Sequence, residues 1–389
     1  MRAGAAVIAF APGRVNLIGE HTDYNGGLAL PFAIEQGLTV TAEPLEGESS
    51  EIVALARDLG EQDCFTLSEP PPTDGWRAFV RGVAFELAAA GVPVRATRLA
   101  ITGDVPRGAG LSSSAALSVS LALALIAVAG DVGALAPSGG PASPASFASP
   151  GVAGGGPASP APFASPGVAG RVDPLALARL CSRVENEWVG ARTGLLDPLA
   201  ALLGSVDHGV RIDFATLATE QVPLVIGDWA LVTVDSGESH SLAEGGYNER
   251  RAECEHACER LGIECLSEAD PAALSTLPGT LARRTRHVLS ENARVDEAVA
   301  ALRAGDLAKL GAVLDASHAS LRDLYDASTP AVERTAANLH AAGAAGARMV
   351  GGGFGGHVLA LFPPGIAPPP NATVVTPSAG ARVVGPAAS

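Results

Sequence analysis

The sequence predicts an α+β fold in two lobes. Strand-like and helix-like segments mix in both halves of the 389 residues, without the regular βαβ alternation that a doubly wound parallel sheet requires. Hydrophobic residues make up 47% of the chain, which is ample for a sizeable core, and the length accommodates two or three domains. The expected division falls near residue 204, giving an N-terminal lobe over 1–204 and a C-terminal lobe over 205–389.

The first segment, MRAGAAVIAFAPGR, reads as a β-strand and not as a signal peptide. Its apolar run leads directly into a polar motif that cleavage would damage. Residues 112–130, SSSAALSVSLALALIAVAG, read as a buried helix, because the apolar run from Ala115 to Gly130 is too short for a membrane span. A second helix follows in DPLALARLCSRVENEWVGA, with Asp173 as N-cap and Pro174 at the first helical position.

Between these helices stand two 16-residue copies, GGPASPASFASPGVAG and GGPASPAPFASPGVAG, over 139–170. They differ only at Ser146 and its counterpart Pro162. Such Pro, Gly, Ser and Ala composition cannot bury enough apolar surface to offset chain entropy, so a flexible duplicated surface loop is expected. Deleting residues 139–170 should leave melting temperature and activity nearly unchanged, because long surface loops add little to the entropy of closure. A large loss of either in the deletion variant would refute this.

In the second half, WALVTVDSG reads as strand and turn, and residues 247–262, 281–304, 306–325 and 330–343 as helices. GARMVGGGFGGHVLALFP reads as strand, glycine-rich turn and strand, and the tail TVVTPSAGARVV as a further strand.

Acidic residues outnumber basic ones 41 to 26, for a formal charge of −15, which argues against nucleic acid as a partner. The five cysteines are Cys64, Cys181, Cys254, Cys258 and Cys265. An odd count without paired CxxC spacing fits reduced thiols in a cytoplasmic protein better than a disulfide scaffold or a zinc site. Lysine occurs once, as Lys309, so there is no Walker-type phosphate loop. Phosphate chemistry here must rest on backbone N–H groups, arginine and metal.

Three motifs carry chemistry. APGRVNLIGEHTDYNGG concentrates Arg14, Asn16, Glu20, His21, Asp23, Tyr24 and Asn25, the mixture of donors and acceptors that a polyhydroxyl ligand needs. GDVPRGAGLSSSAAL places glycines and serines at the start of a long helix, where unpaired N–H groups and a partial positive charge suit phosphate. GGGFGG, residues 351–356, has more glycine than a hairpin needs and points to close packing on a ligand or another loop. A fourth element pairs Glu185 with Asp197, twelve residues later. On spacing alone Asp197 is either a helix cap before Pro198 or a site carboxylate.

Together these motifs resemble the GHMP kinases and, within them, the galactokinases. GRVNLIGEHTDYNGG is similar to the galactokinase signature, PRGAGLSSSAA to the superfamily's ATP loop, and GGGFGG to its third motif. GYNERRAEC and HASLRDLYDASTPAVE are similar to further galactokinase segments. The resemblance covers nearly the whole chain apart from the duplicated loop.

It implies an N-terminal lobe like the second domain of ribosomal protein S5 and a C-terminal ferredoxin-like lobe, with the active site between them. It further implies ATP-dependent phosphorylation of galactose at its anomeric hydroxyl. Glu20, His21, Asp23, Gly194 and Tyr247 would contact the sugar, and Arg14 and Asp197 would form the catalytic pair. Gly108, Ala109, Gly110, Leu111, Ser112, Ser113 and Ser114 would hold the triphosphate. Ser113 and Glu185 would hold Mg²⁺, and Trp76 would line the adenine pocket. Asp197 either takes the anomeric proton or orients the hydroxyl and accepts the proton late, since Arg14 beside it weakens it as a base. The partners would be a small-molecule sugar and ATP, with no nucleic acid, no membrane and a monomeric chain.

Three departures from the family pattern stand out: Pro198 in place of Gln, Arg192-Thr193 in place of a small run with Cys, and His357 in place of Cys after GGGFGG. Pro198 bears on which sugar is taken more than on kinase activity. The alternatives are a kinase for arabinose or N-acetylgalactosamine, and a non-catalytic sugar sensor on the same fold. Retention of SSSAA, Glu185, Arg14 and Asp197 favours the enzyme.

Overall fold

A computed structural model describes residues 6–45, 51–68, 73–105, 110–130, 172–238 and 243–386. The duplicated segment 139–170 and the loop residues Gly108 and Ala109 lie outside the described residues.

The N-terminal apolar run forms β1 (Val7–Asn16), followed by the two-residue β2 (Leu28–Ala29) and the long β3 (Pro31–Pro44). β4 (Glu51–Ala56) and β5 (Glu61–Thr66) make a hairpin, and α1 (Gly75–Ala89) leads to β6 (Thr97–Gly103). Every second residue faces the core: Ala9 and Ala11, Val40 and Ala42, Ile52 and Ala54, Leu99 and Ile101. Against that face lie α1, α2 (Ser113–Ala129), α3 (Pro174–Arg183) and α4 (Leu196–Leu203). Helix α2 is apolar all round and buried along nearly its whole length, as its sequence requires. Asp173 caps α3 by accepting from Leu175 N at 3.1 Å.

The helix expected to run through VENEWV does not stay α. Residues Val184–Val189 wind as a π-turn that closes at Gly190, with Ala191 N donating to Glu185 O at 3.0 Å. Such wide turns commonly sit at functional sites, and this one carries Glu185.

The second half begins with the hairpin β7 (His208–Asp213) and β8 (Ala218–Pro223), which pairs with β2. Then come β9 (Ala230–Asp235), α5 (Ala243–Leu261), α6 (Gly279–Ala304), α7 (Leu307–Asp323) and α8 (Pro330–Ala341). β10 (Gly346–Met349) and β11 (His357–Phe362) flank the glycine-rich turn. The tail yields two strands where one was expected, β12 (Thr373–Val374) and β13 (Arg382–Pro386). β10, β11, β9 and β12 form an antiparallel four-stranded sheet in that order. β13 pairs with β1, at the edge of the six-stranded sheet β13-β1-β3-β6-β4-β5.

A separate packing cluster joins the two halves. Val15, Leu17 and Ile18, just after the polar start of the first motif, pack with Val295, Val299 and Leu302 of α6 and Leu310 and Leu314 of α7. The first motif is therefore lodged against helices from the far half of the chain, and the candidate site forms around it.

Candidate active site

Arg14 and Asp197 line a cavity of about 320 Å³. The pairing of β1 with β3 slips between Pro12 and Arg14, and Arg14 N then donates to Leu111 O at 3.0 Å. This ties the strand to the loop that opens α2. The Arg14 guanidinium is almost fully buried and meets one Asp197 oxygen through Nε at 2.8 Å and Nη2 at 2.6 Å. It also donates to the Gly110 carbonyl. The other Asp197 oxygen accepts from the Ser112 hydroxyl. Ser112 has a left-handed φ of 60° and makes no side-chain cap bond to α2, which leaves its hydroxyl for Asp197.

The reading of Asp197 as a helix cap is corrected. The N-cap of α4 is Leu195, and Asp197 lies inside the first turn. Pro198 is tolerated there because first-turn N–H groups have no intrahelical partner to lose. The helix thus starts before Asp197, whose carboxylate goes to Arg14.

The first motif supplies one wall. Glu20 accepts from Gly351 N at 2.8 Å and pairs at 3.2 Å with Arg348, a fully buried arginine on β10 that also donates to the Asn16 and Leu17 carbonyls. Burial pushes the Glu20 carboxyl up, and Arg348 opposes it. His21 is buried with φ 61°, and burial pushes its pKa down to about 3, so the ring is neutral. Its Nδ1 lies 2.8 Å from Tyr24 Oη and its Nε2 3.1 Å from Gly352 O.

Asp23 is pushed up to about 6, first by burial and then by the charge of Asp197. Gly194 packs directly on the Asp23 carboxylate, where a Cβ would collide with Oδ2. Gly352 is required for a similar reason, since a Cβ there would come within 2.8 Å of the Tyr247 ring. The glycine-rich turn therefore closes on Glu20, His21 and Tyr247 together, and the first motif is not a solvated turn.

Glu185 lies on the other side of the cavity, beside Thr193 and Asp197. Its Oε2 accepts from Thr193 Oγ1 at 2.5 Å, and its buried Oε1 has no hydrogen-bond partner. Burial raises its pKa, the Asp197 charge raises it further, and the hydrogen bond from Thr193 opposes the shift. Ser113 and Ser114 line both this cavity and a second one of about 420 Å³. The second cavity is walled by Trp76, Phe79, Leu38, Ile101 and Leu117, with Asp58 as the one carboxylate among the described residues that line it. Trp76 is anchored at its edge, donating from Nε1 to Glu61 Oε2 at 2.8 Å. Lys309 is far from this chemistry in its pairing, bound at 2.9 Å to Glu297 on α6.

Of the residues singled out from sequence, Arg14, Glu20, His21, Asp23, Gly110, Leu111, Ser112, Ser113, Ser114, Gly194, Asp197 and Tyr247 come together around the first cavity. Trp76 lines the adjoining one. Sequence reasoning missed Arg348 and the hydroxyls of Thr193 and Tyr325, whereas Tyr24 stood among the polar side chains of the first motif. Arg348 had a legible signal, a lone charge inside an apolar strand. His357, the third departure, opens β11 opposite Asp235.

The geometry agrees with what the chain is similar to. Residues 2–44 match the galactokinase galactose-binding signature, residues 78–137 the GHMP kinase N-terminal domain, and residues 298–368 the GHMP kinase C-terminal region. A galactokinase of Mycobacterium tuberculosis (strain ATCC 25618 / H37Rv) is 39% identical over 359 residues, covering 91% of this chain and 88% of that one. A galactokinase of Roseiflexus sp. (strain RS-1) is 37% identical over 371 residues, covering 91% and 83%. The crystal structure of Lactococcus lactis galactokinase complexed with galactose superposes with a TM-score of 0.77 at 29% identity, over 97% of this chain and 94% of that one. Methanococcus jannaschii mevalonate kinase, at 18% identity, 92% coverage of each chain and a TM-score of 0.57, shares the fold. On motif order, two-lobed α+β fold and identity over nine-tenths of its length, the chain belongs to the galactokinase family of GHMP kinases.

Proposed function

We propose that this chain transfers the γ-phosphoryl group of ATP to the anomeric hydroxyl of galactose, giving galactose 1-phosphate and ADP. The observation that carries this reading is the Arg14–Asp197 pair in a cavity with several charged side chains, which shares Ser113 and Ser114 with a second cavity walled by Trp76. In the reading, Glu20, His21, Asp23, Gly194 and Tyr247 surround the sugar. Trp76 and its apolar neighbours take the adenine. Gly108 to Ser114 take the triphosphate on backbone N–H groups at the start of α2. The sugar oxygen bonds to the γ-phosphorus, the bond from that phosphorus to ADP breaks, and the hydroxyl proton passes to Asp197. Arg14 holds the Asp197 carboxylate in place and offsets charge at the transferring group.

The residues fit a divalent cation. Glu185 carries a buried oxygen without a partner, and it sits beside the Asp197 carboxylate, with Arg14 as the cation that offsets both. Glu185, with the Ser113 hydroxyl, would hold Mg²⁺, whose bound charge neutralises the phosphate oxygens. The five cysteines are free thiols, which supports a reducing, cytoplasmic setting. Among the described residues no helix is long and apolar enough to cross a membrane. A monomeric chain, divided near residue 204 with β13 returning to the first lobe's sheet, completes the proposal.

An ADP-release assay over a panel of sugars tests it. Galactose with Mg²⁺ and ATP should give the highest kcat/KM. Turnover on no sugar, or a clearly higher kcat/KM on another, would overturn the reading.

A further inference from the structure

Two segments, GYNERRAEC and HASLRDLYDASTPAVE, supply side chains that the phosphoryl transfer does not use. Cys254, from the first, and Tyr325, from the second, are fully buried and 3.1 Å apart. Tyr325 Oη is 2.9 Å from Tyr24 Oη, which is 2.8 Å from His21 Nδ1. The far nitrogen of His21 faces the Gly352 carbonyl at 3.1 Å.

This row of groups has one direction. A carbonyl only accepts, so the neutral His21 ring must carry its proton on Nε2 and present a bare Nδ1. Tyr24 must then donate to Nδ1, which leaves its oxygen to accept from Tyr325. Tyr325 in turn accepts from the Cys254 thiol. The opposite order would set an Nε2 lone pair against a carbonyl lone pair in a buried site. The neighbouring His287 obeys the same rule. Its ring stands 4.5 Å from Tyr325, its Nε2 faces the Glu20 carbonyl at 3.1 Å, and its Nδ1 is 2.8 Å from Ser320 Oγ.

We propose that Cys254, Tyr325 and Tyr24 act as a positioning chain that fixes His21 as an Nε2–H donor beside the Gly352 carbonyl, so that the pair selects one sugar hydroxyl. The inference rests on the reading of this cavity as the sugar site. A hydroxyl matches such a pair because its oxygen accepts from Nε2–H while its proton goes to the carbonyl. A methylene at that carbon leaves the donor and acceptor facing each other, with no gain from the ligand. The chain supplies no atom to the reaction.

Two measurements test this. In a nitrogen-resolved NMR spectrum of ¹⁵N-histidine protein, with His21 assigned by its loss in His21→Gln, the proton should reside on Nε2. A proton on Nδ1 would overturn the proposal. The second measurement compares Tyr24→Phe and Tyr325→Phe on galactose and its monodeoxy analogues. Tyr24→Phe should raise the KM for galactose about tenfold, with the KM for ATP little changed, because a buried acceptor loses its donor. Tyr325→Phe should raise it less, since Tyr24 keeps its own proton to give. For one analogue, the penalty for the missing hydroxyl should collapse in Tyr24→Phe, as coupling between the two groups requires. Equal effects of Tyr24→Phe on galactose and every analogue would show packing alone and overturn the proposal. If the wild type turns over no sugar, the functional reading fails, and the nitrogen spectrum still decides the tautomer.

Discussion

Asp197→Asn is expected to lower kcat on galactose by at least about 10²-fold, the usual scale of a positioned proton acceptor, with the melting temperature within a few degrees of wild type. Stability should hold because an asparagine oxygen can still accept from Arg14, and Ser112 can turn to accept from the new amide. Removing the charge also relieves the carboxylates around it. The Asp197 charge helps to push Asp23 up to about 6 and to raise Glu185, so both should fall toward their ordinary values in the variant. For an acid, a lower pKa keeps the ionised form to lower pH. If ionised Asp23 accepts from the sugar, the acidic limb of the sugar KM profile should therefore move to lower pH. Steady-state kinetics over a pH series, beside a thermal melt, checks all three. A kcat within about threefold of wild type would exclude Asp197 as the proton acceptor.

What was legible in the sequence and what was not divides along physical lines. Asp173 before Pro174, the all-apolar run of α2, and the glycine turn between two apolar strands are local signals, and each forms the expected element. The first motif was legible because so many polar side chains in a short span have no other reason to crowd together. The π-turn at Glu185 was not legible, since α and π winding share the same apolar spacing over a single turn. Asp197 was ambiguous because Pro198 marks a helix start without saying which side of it the carboxylate falls. Pairings such as Ser112 with Asp197, Arg348 with Glu20 and Cys254 with Tyr325 join residues far apart in the chain. No spacing rule reaches them, because register and crossing of distant elements decide them.

Glu185→Gln separates the cation's role from the sugar's. The substitution keeps the shape of the side chain, and its amide oxygen can still accept from Thr193, which holds the carboxylate at 2.5 Å. It removes the charge. Burial raises the Glu185 pKa, so the fold binds this proton more tightly than the unfolded chain does. Stability without ligand therefore falls as pH rises from the unfolded to the folded pKa, and the ionised group weighs against the fold above that window. A neutral glutamine escapes this cost, so the ligand-free melting temperature should be equal to or above that of wild type. Turnover should move the other way. If the Oε1 without a partner is the oxygen that meets Mg²⁺, its loss should lower kcat by about 10²-fold or more, the equivalent of several kcal/mol of charge stabilisation. The Mg²⁺ concentration giving half-maximal rate should rise. Galactose binding measured by calorimetry without nucleotide should be unchanged, because Glu20, His21, Asp23 and Tyr247 form the other wall of the cavity. Normal turnover of Glu185→Gln at ordinary Mg²⁺ would place the cation's carboxylate elsewhere, and weakened galactose binding would place Glu185 on the sugar.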